Sequence, residues 1–195
     1  MASNNEKNAK LTAEVIAYLV RLGNGVDYTH GFTSAQWAAL RYFSMANRFS
    51  RTLSAFADYH VTTRGTASQT VNNLVKKGFL KRMPSPINGR SRQIDLTTKA
   101  HAMNKVDPFE ELVQVLAELP ETQLGEMTST LERVMRRIAG DLRRPFIGTC
   151  LICRHLEESA GEQDSEKTYT CSLVGKALGP SEIGELCINY KPYST

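Results

Sequence analysis

The chain has 195 residues, of which 41% are hydrophobic and 23% charged. These values lie close to the globular average and exclude wholesale disorder and collagen-like repeats. The length suits one compact domain with a small appendage. Apolar runs are only a few residues long, far short of the about 20 that a membrane helix needs. The polar start, MASNNEKNAKLTAEV, lacks the apolar core and small-residue cleavage site of a secretory signal. The expectation is a soluble, cytoplasmic protein with no membrane partner.

Charge and cysteine are unevenly spread. The chain carries 24 basic and 20 acidic residues, a net +4. From Pro145 onward there are 4 basic and 7 acidic residues, which leaves 20 basic and 13 acidic before it. All four cysteines, Cys150, Cys153, Cys171 and Cys187, lie in the acidic tail. Clustered cysteines in a reducing compartment more often hold metal than form disulfides. Two units are therefore expected: a basic body over 1–144 and a small cysteine-rich, metal-held module over 145–195.

The body reads as mainly helical. Leu11, Val15, Ile16, Leu19 and Val20 recur at three- and four-residue spacing, the apolar stripe of an amphipathic helix. Thr33 or Ser34 caps a second helix, TSAQWAALRYFSMANRF, which buries Trp37, Leu40 and Phe43. A third, short helix begins near Thr52, with Leu53 and Phe56 facing inward. A fourth buries Ala67, Val71, Leu74 and Val75 and stops at Gly78. The period then changes: FLKRM and RQIDLT read as two strands around a turn containing Pro86, Asn88 and Gly89. A helix over 98–119 follows, with a kink or break expected at Pro108. The last body helix, 121–142, carries Leu124, Met127, Leu131, Val134, Met135 and Ile138 in one stripe.

Helix, short helix, helix and basic hairpin is the order of a winged helix-turn-helix. Opposite the buried stripe of the fourth helix lie Arg64, Thr66, Ser68, Gln69, Asn72 and Asn73. These are side chains of the kind that read base edges in the major groove. Lys76 and Lys77 close that helix toward phosphates, and Arg90 and Arg92 at the hairpin tip suit a narrow minor groove or phosphate pairs. Each feature alone is matched by a merely solvated surface; their combination in this order points to double-stranded DNA.

At these residues the chain resembles the MarR family of bacterial transcription regulators. FTSAQWAALRYFS is similar to the family's second helix, and LSAFADYHVTTRGTASQTVNNLVKKGFLKR to its helix-turn-helix. INGRSRQIDLTTKA resembles the wing: Arg90 keeps the wing arginine and Leu96-Thr97 the close, while Asn88 stands where the family has Asp. The resemblance spans about residues 10–142. It implies a homodimer built from the first and last body helices, a pseudo-palindromic operator, and repression relieved by a small-molecule effector or thiol oxidation. The body has no cysteine, so thiol sensing would have to reside in the tail.

The tail spells Cys150-x2-Cys153-x17-Cys171-x15-Cys187. Two cysteines three apart can clamp a metal from one turn, and two from distant segments complete four thiolates. About 50 residues with few aromatics need such a staple. Phe146, Leu151, Ile152, Leu173, Leu186 and Ile188 flank the cysteines, an apolar wrapping that suits an iron–sulfur cluster; zinc is the alternative. His155 is expected beside the ligands rather than among them. A cluster would make the tail a redox, oxygen or iron sensor acting on the helix that ends at Leu142. Zinc would make it a structural cap and leave sensing to a small molecule. His30, His60, His101 and His155 are scattered and no phosphate loop is present, so an enzyme is not expected. A winged helix used for protein contacts is the other alternative.

Overall fold

The computed structural model describes residues 3–24, 29–85, 92–142, 144–160 and 167–193. The turn residues Pro86, Asn88 and Gly89, and with them the wing-tip Arg90, lie outside the described residues.

Threonine and serine hydroxyls start helices by bonding a free backbone N–H in the first turn. Ser3 caps α1 (Asn4–Gly23) in a reciprocal box with Glu6. Thr33 does so for α2 (Ser34–Met45) with Gln36. Thr52 caps α3 (Leu53–Tyr59) and Thr63 caps α4 (Arg64–Lys76). The first helix thus begins earlier than its apolar stripe, because the capping box carries it back over a polar turn. The second ends four residues before Phe49. Ala46 turns extended and forms a parallel bridge with Leu186 of the tail.

After α4, Gly78 adopts φ 76°, which reverses the chain into the hairpin β1 (Leu80–Pro84) and β2 (Arg92–Leu96). Leu80 faces Leu96 and Pro84 faces Arg92 in the antiparallel register. Leu80, Ile94 and Leu96 point into a core shared with Trp37, Tyr42, Phe43 and Phe56. The stretch expected as one helix over 98–119 is three pieces: α5 (Thr98–His101), a 3-10 turn (Ala102–Val106) and α6 (Phe109–Ala117). Asp107 turns extended before Pro108, as the residue ahead of a proline tends to. Its carboxylate accepts the Phe109 N–H at 2.9 Å and pairs with both ends of the Arg41 guanidinium at 2.7 and 2.9 Å. Arg41 is on α2, so this half-buried fork fixes the reader core to the helices that follow. Asp107→Ala is expected to lower stability by about 2 kcal/mol, between the cost of breaking a surface pair and a buried one. Denaturant unfolding at fixed protein concentration measures it.

Helix α7 (Glu121–Asp141) follows. No residue of α6 or α7 is buried in the single chain. Leu11, Val15 and Leu19 of α1 and Leu131, Val134 and Ile138 of α7 stand exposed. Exposed apolar stripes of this length are of the kind that interfaces cover. No helix among the described residues is long and apolar enough to cross a membrane.

The tail forms two small sheets. β3 (Gly148–Thr149) pairs antiparallel with β7 (Leu186–Cys187). β4 (Leu156–Ala160), β5 (Lys167–Cys171) and β6 (Lys176–Leu178) form a meander. A Cβ on Gly148 would meet the Tyr190 ring at 2.9 Å, so glycine lets the ring lie against the β3 backbone. The tail packs on the body. Ile188 joins the winged-helix core, and the turn joining α2 to α3, residues 46–51, is bonded to β7 and its surroundings. The tail therefore meets the winged-helix core directly, and not only through the chain that follows α7.

Val61, in the turn between α3 and α4, has φ 51° and is exposed. A β-branched residue there is strained by about 1–3 kcal/mol. Val61→Gly relieves this against an entropic cost of about 0.5–1 kcal/mol. A net gain of about 1 kcal/mol in unfolding free energy is expected; no gain would mean that the turn is not strained.

Candidate functional site

On α4 the buried stripe is Ala67, Val71 and Leu74, which turns the opposite face outward. Arg64, Gln69, Asn73 and Lys76 are exposed there. Thr66 is exposed too, but its hydroxyl is 2.9 Å from that of Thr63 and its N–H donates to the same oxygen, so it serves the cap. Ser68 and Asn72 are half-buried, with the Asn72 amide donating to Ser68 Oγ at 3.4 Å. Arg82 of β1 donates to Asn72 Oδ1 and ties the recognition helix to the wing. Sequence reasoning missed Arg82; its signal was the solvent-facing basic pair Lys81-Arg82 in an otherwise short strand. Lys77, expected to face phosphate, instead donates to Gly31 O at 3.0 Å and Gln36 Oε1 at 3.3 Å. Arg92 opens β2 and is exposed.

The second site is built by the four cysteines. Cys150 starts the 3-10 turn Cys150–Ile152, Cys153 follows it, Cys171 ends β5 and Cys187 ends β7. All four are buried and none is in a disulfide. They line one cavity together with Asn47, Phe49, His155, Leu156, Val174 and Leu178. Its free space is about 10 Å³, the scale of a single water or ion. Among the described residues no three His, Cys, Asp or Glu side chains are disposed to hold an ion as they stand. His155 lines the cavity while its Nδ1 lies 3.5 Å from Ser172 Oγ.

The apolar wrapping is made only in part by the residues that flank the cysteines in sequence: Phe146, Leu186 and Ile188 pack inward. Leu151, Ile152 and Leu173 are exposed. Phe49, Leu156, Tyr169, Val174, Leu178 and Ile183 pack round Cys150 and Cys171, and Phe146 and Tyr190 round Cys153 and Cys187. Phe49 comes from the body, as does Asn47. The Asn47 amide donates toward Cys150 Sγ at 4.0 Å.

Burial pushes the Cys150 thiol up to about 12, with further increments from Cys187, Cys153 and Cys171. Burial also raises Cys187, against hydrogen bonds from the Asn189 backbone and the Asn47 and Ser50 side chains that favour its thiolate. Four thiolates crowded from water repel one another; a bound cation reverses that balance.

The fold and the α4 face define a winged helix-turn-helix protein. Residues 30–91, just under a third of the chain, match the sequence model of the MarR family. No curated protein matches the chain. Solved structures share its fold. The S. aureus MepR–DNA complex aligns at 19% identity and TM-score 0.56, over 70% of this chain and 99% of that one. CouR from Rhodococcus jostii RHA1, bound to p-coumaroyl-CoA, aligns at 14% and 0.55, over 69% and 95%. A MarR/EmrR family regulator from Acinetobacter sp. ADP1 aligns at 15% and 0.54, over 72% and 99%.

Proposed function

We propose that the protein is a homodimeric transcription regulator that binds a pseudo-palindromic operator, most simply as a repressor, with an affinity set by a metal centre on Cys150, Cys153, Cys171 and Cys187. What supports DNA reading is the α4 face, where Arg64, Gln69, Asn73 and Lys76 are exposed on a helix whose other face is core. Two such helices, related by a dimer built on the stripes of α1 and α7, address half-sites about one helical turn apart.

The observation that carries the regulatory half is the convergence of four buried thiols, from segments up to 37 residues apart in sequence, on one cavity in an apolar shell. An iron–sulfur cluster is the group this donor set suits, since it takes four thiolates and has its potential tuned by burial and hydrogen bonds to sulfur. It would supply one-electron redox chemistry, and the chain would sense redox state, oxygen or iron. Structural zinc is the second reading, favoured by the narrow space between the thiols. In that case the signal is a small molecule, of which CouR's p-coumaroyl-CoA is one example among proteins of this fold.

The experiment is a visible absorption spectrum with iron, sulfide and zinc analysis on protein purified without oxygen. A brown protein with about equal iron and sulfide carries the cluster reading. A colourless protein with one zinc per chain carries the alternative. A colourless protein with neither metal overturns both.

A further inference from the structure

Two polar side chains of the body are spent inside the cysteine site. Asn47 and Ser50 are completely buried, and a polar group in such a place costs free energy unless its partners are there. The Asn47 backbone N–H donates to Leu186 O at 2.8 Å, its Oδ1 accepts the Ser50 N–H at 3.0 Å, and its amide donates toward Cys150 Sγ at 4.0 Å. Ser50 Oγ accepts the Ile188 N–H at 3.0 Å, which holds the backbone directly after Cys187. The Ser50 carbonyl accepts the Tyr42 hydroxyl at 2.7 Å. Asn47 stands 103 residues before Cys150, so this is a long-range arrangement between body and tail.

The same turn is clamped to the wing. Arg51 Nε donates to Ala46 O at 2.7 Å, its guanidinium pairs with Asp95 of β2 at 2.9 Å and reaches Glu185 at 3.9 Å. The Arg51 carbonyl accepts the Ile94 N–H at 2.8 Å. The next residue, Thr52, caps α3. Residues 46–51 thus touch the sulfurs on one side, and the wing and the first helix of the helix-turn-helix on the other.

We propose that Asn47 and Ser50 are positioning residues of the cysteine centre, and that the 46–51 turn carries its occupancy to the wing and recognition helix. The proposal rests on the reading of the four cysteines as a metal centre. Asn47 holds the Cys150 sulfur directly and Ser50 holds the backbone beside Cys187, so the two keep the turn in its present shape while metal is bound. When the centre is lost, Cys150 and the strand end at Cys187 are free to move, the turn repacks, and Arg51 releases its hold between Glu185 and Asp95.

The test uses full-length wild type, Ser50→Ala and Asn47→Ala, each loaded without oxygen and each stripped with a chelator. The DNA is a duplex selected by the wild type from a random-sequence pool. Both variants are expected to bind the metal about 10–100-fold more weakly. Once loaded at saturating metal, their operator affinities are expected to match those of the stripped forms within twofold, whereas the wild type shows a larger ratio. If iron is bound, the midpoint potential should also move to more negative values, because donors to sulfur favour the reduced, more negative cluster. A purely structural role would lower the melting temperature and leave both the metal affinity and the loaded-to-stripped ratio at wild-type values; that result overturns the proposal. Should Asn47→Ala fail to fold, the Ser50→Ala comparison decides alone. A wild type that takes up neither iron nor zinc defeats the metal-centre reading itself, an outcome separate from variants that bind metal and couple normally.

Discussion

Cys171→Ser is expected to strip the protein of its metal and leave the winged helix folded. Cys171 ends β5, paired with Leu156 on one side and Lys176 on the other. Its carbonyl accepts the Val174 and Gly175 N–H groups at 3.2 and 2.7 Å. Serine keeps that backbone turn and nearly the same volume. Its hydroxyl stays protonated at neutral pH and is a poor partner for a soft metal. Three thiolates in an apolar cavity then have neither the charge nor the geometry for a stable centre. The core of Trp37, Tyr42, Phe43, Phe56 and Leu74 is a separate cluster, so circular dichroism of the helices should be nearly unchanged. Metal analysis should show retention falling by at least about tenfold, the scale on which lost ligation exceeds lost outer-shell support. Full metal stoichiometry in the variant would refute the four-cysteine centre.

The second large effect concerns sequence reading. Gln69 is exposed on α4, and none of the hydrogen bonds described for this helix uses its side chain. An amide of this kind can accept from the N6 amino group of adenine and donate to its N7 at once, on the major-groove edge, a contact worth about 1–3 kcal/mol of discrimination. Gln69→Ala is therefore expected to weaken binding to the selected operator by roughly 5–150-fold while binding to scrambled DNA stays within twofold. Lys76→Ala should behave differently. It removes a charge and not a base contact, so it weakens both DNAs alike and lowers the salt slope by about one. Titration of both DNAs at two salt concentrations separates the two behaviours. Equal loss on both DNAs for Gln69→Ala would contradict its assignment to base reading.

Local chemistry made much of the body readable. The cap at Thr33, the helix start near Thr52, the stripe Ala67, Val71 and Leu74, the hairpin around Ile94 and Leu96, and the interruption at Pro108 are each decided within a few residues of chain. What was not readable depends on distance. Helix α2 stops at Met45 because Ala46 bridges Leu186 and Asn47 donates its N–H there, and nothing in SMANRF announces a partner 140 residues away. Leu151, Ile152 and Leu173 flank cysteines in sequence yet point outward, since a tight turn at a ligand places its neighbours on the opposite side. The lining comes instead from Phe49 and from alternate residues of the meander. Lys77 looked like a phosphate contact on its helix and is held by Gly31, just before α2, and by Gln36 in the first turn of α2. The cysteine spacing pointed to four thiols that line one cavity, but the body's share in its surroundings, Asn47, Phe49 and Ser50, is carried by ordinary residues whose only distinction is complete or near-complete burial.

The central claim is that the cysteine centre controls DNA affinity. Its most direct test is one equilibrium titration of the selected operator with wild-type protein in two states, metal-loaded and chelator-stripped, at the same salt and pH. Coupling between two sites in a regulator is commonly worth 1–3 kcal/mol, so the two dissociation constants are expected to differ by roughly 5–150-fold. Two constants equal within twofold, on protein shown to hold its metal in one state and lack it in the other, would contradict the account and leave the cysteines a structural staple.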